Sequence, residues 1–326
     1  MSLVAVVTLL AAYAGPAAAQ QQARTVSGTV VDSDGRIVCK LSRKTDKSAS
    51  GAEIIMQCCS AAREALESCG MSLADIYSVG LCSPGAVDSE RGVIEYANNL
   101  DFSNLPAKSI IAEALGKRVC IENDANAAAY GEFCAGSAKG VDSAVCITLG
   151  TGVGGGVIID KKIYKGYNGG GGELGHMVIE VGGDECTCGR RGCFEVYSSA
   201  TGLVRMTRQA MHEHPESLMN GMAKPQEAGA RLAFEAARRD DPAACAVVNR
   251  YIHYLAEGCA NIINIFQPQI LCIGGGVSNE GDYLINPLRE LTMSMVYTRR
   301  GAKNTEIVRA ALGNDAGIYG AAKQVL

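Results

Sequence analysis

The chain has 326 residues, of which 48% are hydrophobic and 20% charged, and its formal net charge is −4. Because single hydrophobic cores rarely grow beyond about 250–300 residues, this length favours two domains. The weakly acidic balance excludes the basic surface that a nucleic-acid-binding protein needs, so we expect no nucleic acid partner. The absence of tryptophan excludes a binding cage built on that residue.

The N-terminus and the cysteines point to different compartments. Residues 3–14 are apolar, and "PAAAQ" supplies small residues suited to cleavage of an export signal after Ala19, but no lysine or arginine precedes Arg24. The apolar run is too short to span a membrane. Most of the 14 cysteines lie in apolar runs such as "AVCITLG", where a free thiol behaves as a small hydrophobic group. That usage favours a reducing, cytoplasmic location.

The first half of the chain alternates strand and helix patterns. "TVSGTVVDSDGRIVCKLSRKT" predicts a β-hairpin that turns at Asp34-Gly35. "GAEIIMQCCSAAREALESCG" has apolar residues at helical spacing and a stop at Gly70. "IYSVGLCS" predicts a strand followed by a turn at Pro84-Gly85, "RVCIEND" predicts another strand, and a helix opens at "DANAAAYGEF".

The second half repeats this logic. "SAVCITLGTGVGGGVIID" predicts a hairpin with a glycine-rich bend, and "PAACAVVNRYIHYLAEGCANIINIF" predicts a long helix. "QILCIGGG" predicts a buried strand and "GDYLINPLRELTMSM" a helix. Together the two blocks predict an α/β architecture of two similar domains with a cleft between them.

One histidine and three cysteines cluster between residues 176 and 193. Cys186, Cys188 and Cys193 have the spacing C-x-C-x4-C with glycines that permit a tight loop, and His176 precedes them by ten residues. A Cys3His set is a common closed tetrahedral zinc shell. Three cysteines cannot form two disulfides, and Cys186 and Cys188 are too close in sequence to pair easily. The pattern favours a structural zinc site over a cysteine loop without metal.

A carboxylate marks the junction of a predicted strand and helix in "IENDANAAAYGE". Asp124 stands where the strand passes into the helix, and a helix N-terminus favours an anion. A plain N-cap and a general base at a strand end in a cleft are both open interpretations. Asn123 beside it could fix a substrate hydroxyl.

Two glycine-rich turns follow predicted strands. "TLGTGVGGG", residues 148–156, exposes backbone N–H groups that can surround a phosphate. "CIGGGVS", residues 272–278, is a second such turn. The first signal is weak by itself because glycine-rich hairpins are common, and the second is equally typical of plain strand-to-helix packing.

Five stretches together resemble one family: "ENDANAAAYGE", "LGTGVGGG", "GGELGHM", "CTCGRRGCFE" and "LGNDAGIYGAA". They resemble the ROK family of sugar kinases, most of all its bacterial glucokinase branch, from about Thr25 to the C-terminus. The resemblance implies an α/β, two-domain actin-like ATPase (ribonuclease H-like) fold whose interdomain cleft closes over sugar and ATP. The expected parts are an atypical N-terminal segment 1–24, a small domain 25–123, a large domain with the zinc site 124–312, and a C-terminal helix 313–326 returning to the small domain.

The resemblance also implies a reaction and residue roles. The reaction is ATP-dependent phosphorylation of glucose to glucose 6-phosphate with Mg²⁺, in which Asp124 is the general base that takes the proton of the attacking sugar hydroxyl. The residues implied to bind sugar hydroxyls are Gly85, Asn99, Asn123, Glu173, His176 and Glu195. Those implied to meet ATP are Gly150, Thr151 and Gly152 at the phosphates, and Gly274, Gly275 and Gly276 at the adenosine. Structural Zn²⁺ on His176, Cys186, Cys188 and Cys193 would fix the His176 ring, and a homodimer is expected.

The sequence departs from the family pattern at its start. ROK kinases begin with a strand and a D-x-G-G-T phosphate loop, whereas the slot before "VSGTVVD" reads "QQQAR", Gln20 to Arg24, with no acidic residue and no glycine pair. "LVAVVTLL" is the candidate to replace the missing strand. As an explanation of the missing phosphate loop, a wrong start or frame slip in the gene model is favoured over a catalytically damaged protein or an exported one. A kinase for another hexose such as N-acetylmannosamine, or a non-catalytic sugar-binding ROK protein, stays open. A ROK repressor needs a DNA-binding helix-turn-helix ahead of this region, where the residues are apolar and nearly uncharged.

Overall fold

The computed structural model of the protein describes residues 3–10, 25–32, 36–46, 48–97, 100 and 102–325. Two five-stranded sheets organise these residues, and we call the parts built on them the first and the second lobe. The strands are β1 (Leu3–Leu10), β2 (Thr25–Val31), β3 (Ile37–Lys44), β4 (Ile76–Ser83), β5 (Ala86–Asp88), β6 (Val93–Ala97), β7 (Phe102–Leu105), β8 (Arg118–Asn123), β9 (Ala144–Leu149), β10 (Val153–Ile159), β11 (Lys162–Ile163), β12 (Ile270–Gly274) and β13 (Glu306–Arg309). The α-helices are α1 (Gly51–Ser68), α2 (Ala107–Leu115), α3 (Asp124–Ala135), α4 (Phe194–Ser198), α5 (Ala200–Glu213), α6 (Leu218–Met222), α7 (Leu232–Ala237), α8 (Pro242–Phe266), α9 (Asp282–Met295) and α10 (Ala316–Val325).

The sheet of the first lobe has the strand order β3-β2-β1-β4-β8. The predicted hairpin is confirmed as β2 and β3, although its turn at residues 33–35 lies outside the described residues. The predicted helix is confirmed as α1, which begins with a capping box between Ser50 and Glu53 and buries Ile54, Ile55 and Leu66 on one face. Both predicted strands, β4 and β8, run parallel to each other.

The apolar segment near the N-terminus forms strand β1 inside this sheet. It pairs antiparallel with β2, where Val4 lies opposite Val31, and parallel with β4, where Thr8 lies opposite Cys82. "LVAVVTLL" therefore occupies a central strand position, the place that the sequence pattern left without a strand. Residues 11–24, which include the cleavage position after Ala19 and the "QQQAR" slot, lie outside the described residues.

A small antiparallel sheet of β5, β6 and β7 follows the Pro84-Gly85 turn. Its apolar residues Val87, Ile94 and Phe102 are buried under α1 and α2. The sequence does not reveal this sheet, because strands of three to five residues carry too few alternations to show a period of two.

The sheet of the second lobe has the order β11-β10-β9-β12-β13. The glycine-rich hairpin is confirmed as β9 and β10, and the long helix is confirmed as α8, capped by Asp241 with Pro242 at its first turn. Tyr251, fully buried on α8, donates its hydroxyl to the carbonyl of Ser198 at 2.7 Å and so ties α8 to α4. Among the residues described, no helix combines the length and the apolar character needed to cross a bilayer.

Helices α3 and α10 cross at backbone contact between the two lobes. A Cβ atom on Gly320 would lie 1.7 Å from the carbonyl oxygen of Ala127, and one on Gly131 would lie 2.0 Å from that of Ala316. Buried Glu132 of α3 accepts three backbone N–H groups, from residues 137, 311 and 312, and so holds the chain that leads into α10. The crossing fixes the direction of α3, whose first residue is Asp124.

Candidate active site and metal centre

The strand-to-helix junction of β8 and α3 presents Asn123 and Asp124 together. Asn123 is the N-cap of α3, where its side-chain oxygen accepts the N–H groups of Ala125 at 2.9 Å and Asn126 at 3.1 Å. Its amide nitrogen donates to the carbonyl of Gly85 at 3.0 Å. The N-cap is therefore Asn123, and Asp124 is the first helical residue, whose carboxylate accepts the N–H of Ala125.

The pKa of Asp124 is raised above the ordinary value of an aspartate. Burial is the main cause, because the ionised form loses hydration. The N–H of Ala125, 2.8 Å from a carboxylate oxygen, opposes the shift, and the negative charge of Glu173 adds to it. A carboxylate whose pKa is raised toward the working pH is a better proton acceptor than an exposed one.

The turn between β9 and β10, residues 150–152, lies next to α4. Glu195 accepts the N–H of Val153 at 2.9 Å, and a Cβ atom on Gly152 would lie 2.2 Å from the same carboxylate oxygen. The start of α5 fixes the other side of the turn, where the carbonyl of Thr151 accepts the hydroxyl of Thr201 at 2.8 Å. Gly150 has open space where a Cβ would stand, while its N–H donates to the carbonyl of Gly152 at 3.0 Å and its carbonyl accepts the N–H of Ala200 at 2.8 Å.

The neighbouring glycines of the hairpin have a packing role. A Cβ on Gly154 would lie 3.0 Å from the side chain of Ala125, and one on Gly156 would lie 2.4 Å from that of Ala129. These glycines let α3 approach β10 closely. The tight packing places β10, which directly follows the turn 150–152, against the first residues of α3.

The second glycine turn lies beside the first in the parallel pairing of β9 and β12, where Gly274 is opposite Thr148. Gly275 has a φ of +82° and a Cβ there would lie 2.4 Å from the backbone of Leu149, so this position requires glycine for packing. Gly276 has open space at its Cβ position. The two turns thus follow the ends of neighbouring strands, and each contains one glycine, Gly150 or Gly276, with open space at its Cβ position.

The histidine and the three cysteines meet in one cluster. Their ligand atoms all lie within 4.8 Å of one another, with Nδ1 of His176 3.6 Å from Sγ of Cys186 and the sulfurs of Cys188 and Cys193 3.7 Å apart. The loop that carries the three cysteines, which we call the cysteine knuckle, is closed by a hydrogen bond of 3.0 Å from the N–H of Gly189 to the carbonyl of Cys186. The glycine-permitted tight loop that the sequence predicted is present.

The separations of the cluster fit a bound ion better than a disulfide. A disulfide would bring two sulfurs to about 2.0 Å. A tetrahedral zinc shell with bonds of about 2.3 Å to sulfur and 2.0 Å to nitrogen separates its ligands by about 3.5–3.8 Å. Burial raises the pKa of Cys193 and Cys186, and a divalent cation would supply the charge that stabilises their thiolates.

The remaining predicted sugar residues that the structure describes come from two separate segments. Gly85, with a φ of +95°, packs so closely against Tyr96 that a Cβ would lie 2.1 Å from its carbonyl oxygen. Glu173 and His176 border a 3-10 turn that packs on β10, since a Cβ on Gly175 would lie 2.2 Å from the carbonyl of residue 153. Asn99 lies outside the described residues.

The structure adds an ion pair that the sequence analysis missed. The Glu122 carboxylate, at the end of β8, is buried and lies 2.7 Å from Nζ of Lys165. A glutamate next to the last residue of a buried strand is a sequence signal for a buried carboxylate. Its partner could not be identified, because nothing local to Lys165 points to β8.

Comparisons with known proteins point to one family. The model of the ROK family matches residues 23–326. The glucokinase of Thermotoga maritima is 37% identical over 300 residues, which cover 91% of this chain and 93% of the relative. The xylose repressor of Bacillus subtilis is 30% identical over 251 residues, which cover 77% of this chain and 61% of the repressor.

A solved structure, the ROK family glucokinase of Streptomyces griseus in complex with glucose and AMPPNP, matches with a TM-score of 0.84, 32% identity and 99% coverage of both chains. The expected two-domain actin-like ATPase fold is thereby confirmed, as is the resemblance to ROK glucokinases. With a family match over nearly its whole length, the chain belongs to the ROK family.

Proposed function

We propose that the chain is an ATP-dependent hexose kinase that transfers the γ-phosphoryl group of ATP to glucose and forms glucose 6-phosphate. The observation that carries this proposal is the junction of β8 and α3. Asn123 and not Asp124 is the N-cap, the pKa of Asp124 is raised, and Gly154 of the hairpin of β9 and β10 packs against Ala125, the residue after Asp124. The glucokinases among the relatives support glucose as the substrate.

In this proposal the sugar lies against the strand end and the 3-10 turn. Asn123, Glu173, His176 and Glu195 bind its hydroxyls, and Asp124 accepts the proton of the hydroxyl that attacks the phosphorus. A carboxylate and an amide that bind adjacent hydroxyls also align the attacking oxygen, and alignment supplies much of the rate in phosphoryl transfer.

ATP lies along the glycine turns, with its phosphates at residues 150–152 and its adenosine at residues 274–276. The open space at Gly150 and Gly276 supports this placement. Mg²⁺ accompanies the nucleotide and neutralises charge on its phosphates. Residues Gln20–Arg24 contain no carboxylate that could bind this ion. Its ligands in this proposal are the phosphates of ATP and water.

The Cys3His cluster binds structural zinc in this proposal. With Nδ1 of His176 on the metal side, the ring is fixed and its Nε2 is free to meet a sugar hydroxyl. Zinc thereby acts on the sugar site through orientation. The enzyme is proposed to work as a cytoplasmic homodimer.

ADP release from the purified chain with glucose, ATP and Mg²⁺ tests the activity, with Asp124→Asn as the control. Loss of a general base is expected to lower kcat by roughly 10²–10⁴-fold while the protein stays folded. A parallel assay with N-acetylmannosamine and mannose tests the choice of hexose. Equal turnover by the wild-type chain and by Asp124→Asn would refute the role of Asp124.

A non-catalytic sugar-binding protein is the second candidate, and the "QQQAR" slot is the observation that favours it. Glucose binding by equilibrium dialysis without ADP release from folded, zinc-loaded protein would support this candidate and overturn the kinase.

A further inference from the structure

The buried carboxylate of Glu122 lies directly before the sugar-site residue Asn123 in β8, and its side chain is 3% exposed. One carboxylate oxygen accepts the N–H of Asn123 at 3.1 Å and the side-chain amide of Asn126 at 3.4 Å. The other lies 2.7 Å from Nζ of Lys165 and 3.4 Å from the hydroxyl of Ser89. A buried carboxylate is costly without such partners, so this one is held on all sides.

The lysine of this pair comes from the other lobe. Lys165 follows β11 at the edge of the second-lobe sheet, and its side chain reaches the end of β8 in the first lobe. Its carbonyl accepts the N–H of Gly171 at 2.8 Å, which closes residues 165–171 into a loop. A Cβ on Gly169 would lie 3.0 Å from the carbonyl of Val87, so the loop also rests on β5.

The loop leads directly into the sugar-binding turn. Residues 165–173, which we call the bridging segment, read "KGYNGGGGE" and end at Glu173, whose charge acts on Asp124. Five of its nine residues are glycine. Glycine has no side chain for packing and a high conformational freedom. The segment is therefore anchored by its polar ends and by close backbone contacts, such as that with β10, where a Cβ on Gly155 would lie 2.4 Å from the carbonyl of Gly172.

We propose that Glu122 and Lys165 form a latch that positions the bridging segment, and with it Glu173, against Asn123 and Asp124. This inference rests on the proposed sugar kinase function. Both latch residues are positioning residues, because they act on the sugar through their neighbours. Exposed ion pairs contribute little, but this pair has a buried partner. Removal of Lys165 leaves an uncompensated charge beside the sugar site.

The kinetic test compares Lys165→Met with Lys165→Arg. The Met variant is expected to raise KM for glucose about tenfold or more, because the sugar groups are misplaced, with KM for ATP unchanged. The Arg variant, which keeps the charge, is expected to restore most of the glucose affinity. The matched control is Lys161→Met in the same hairpin, whose ion pair with Asp142 is exposed.

A merely structural role would lower the melting temperature and the active fraction without separating the two KM values. Equal glucose KM in Lys165→Met and Lys161→Met would overturn the latch. So would a rise in both KM values by the same factor.

Amide hydrogen exchange without sugar tests the latch independently of activity. Faster exchange confined to residues 165–173 and the start of α3 in Lys165→Met, restored in Lys165→Arg, is the expected result. Unchanged exchange there, or faster exchange across the whole first lobe, would overturn the proposal. If the wild-type chain phosphorylates no hexose, the proposed function fails, and this measurement still decides whether the latch exists.

Discussion

The crossing of α3 and α10 is a sharp test of the fold, and Gly320→Ala is the perturbation. A Cβ on Gly320 would lie 1.7 Å from the carbonyl oxygen of Ala127, whereas ordinary contact begins at 3.4 Å. The methyl group is therefore short of room by about half of that contact distance. The obstacle is backbone on a facing helix, which cannot rotate away as a side chain can, so the two helices must separate.

Two opposing effects set the magnitude. Replacing glycine by alanine inside a helix gains roughly 1 kcal/mol of helix propensity. Overpacking a close interface costs roughly 1–3 kcal/mol and occasionally more, and a backbone obstacle belongs at the upper end. We expect Gly320→Ala to lower the free energy of unfolding by about 2 kcal/mol net.

The assay is urea unfolding followed by far-UV circular dichroism, with Gly221→Ala as the matched control. Gly221 lies in α6, is exposed, and has nothing within 4 Å of its Cβ position, so its substitution keeps the propensity gain without the obstacle. The unfolding midpoint of Gly320→Ala should fall while that of Gly221→Ala stays or rises. Equal shifts of the two midpoints would refute the backbone contact between α3 and α10.

Three further predictions concern charge and metal. The pH profile of kcat/KM for glucose should lose activity on the acid side at a pH above that of an ordinary aspartate, because burial and Glu173 raise the pKa of Asp124 and the base must be ionised. Glu173→Gln should move this limb to lower pH, and an unmoved limb would contradict the assignment. A folded-state pKa raised above the unfolded one means that ionised Asp124 costs stability above that pKa and that this cost disappears as the pH falls through it. Asp124→Asn should therefore raise the free energy of unfolding at neutral pH, and a lower melting temperature than wild type would count against this reasoning. Cys193→Ser should reduce the zinc measured by mass spectrometry from about one ion per chain to well below one, with Cys245→Ser as the control that retains it; full zinc in both would exclude the cluster as the site.

The sequence alone was sufficient for features that depend on neighbours along the chain. Helix α8 was predicted with its full bounds, Pro242 to Phe266, because its apolar residues recur at helical spacing along the segment itself. Strand β4 was likewise predicted with its full bounds. The cysteine knuckle was predicted because the spacing of its cysteines and its glycines determine the turn. Asp124 was placed at a strand-to-helix junction by the same local signals, and the structure adds that Asn123 is the cap.

Other features were decided by the tertiary structure. The apolar segment 3–10 was compatible with an export signal or a strand, and only its pairing with β2 and β4 places it inside the first-lobe sheet. The sequence likewise does not show that the glycines of the hairpin differ in role. Gly150 has open space at its Cβ position, whereas Gly154 and Gly156 allow α3 to pack closely. A sequence pattern shows where glycines leave the backbone without side chains, but only the fold shows which atoms approach that backbone.

The pairing of Glu122 with Lys165 and the contact of Gly320 with Ala127 illustrate the physical reason for this division. Hydrogen bonds within a helix, a hairpin or a knuckle join residues a few positions apart, so their pattern is written locally. Contacts between the lobes join residues far apart in the chain, and the free energy of each depends on burial and geometry that exist only after both lobes have packed.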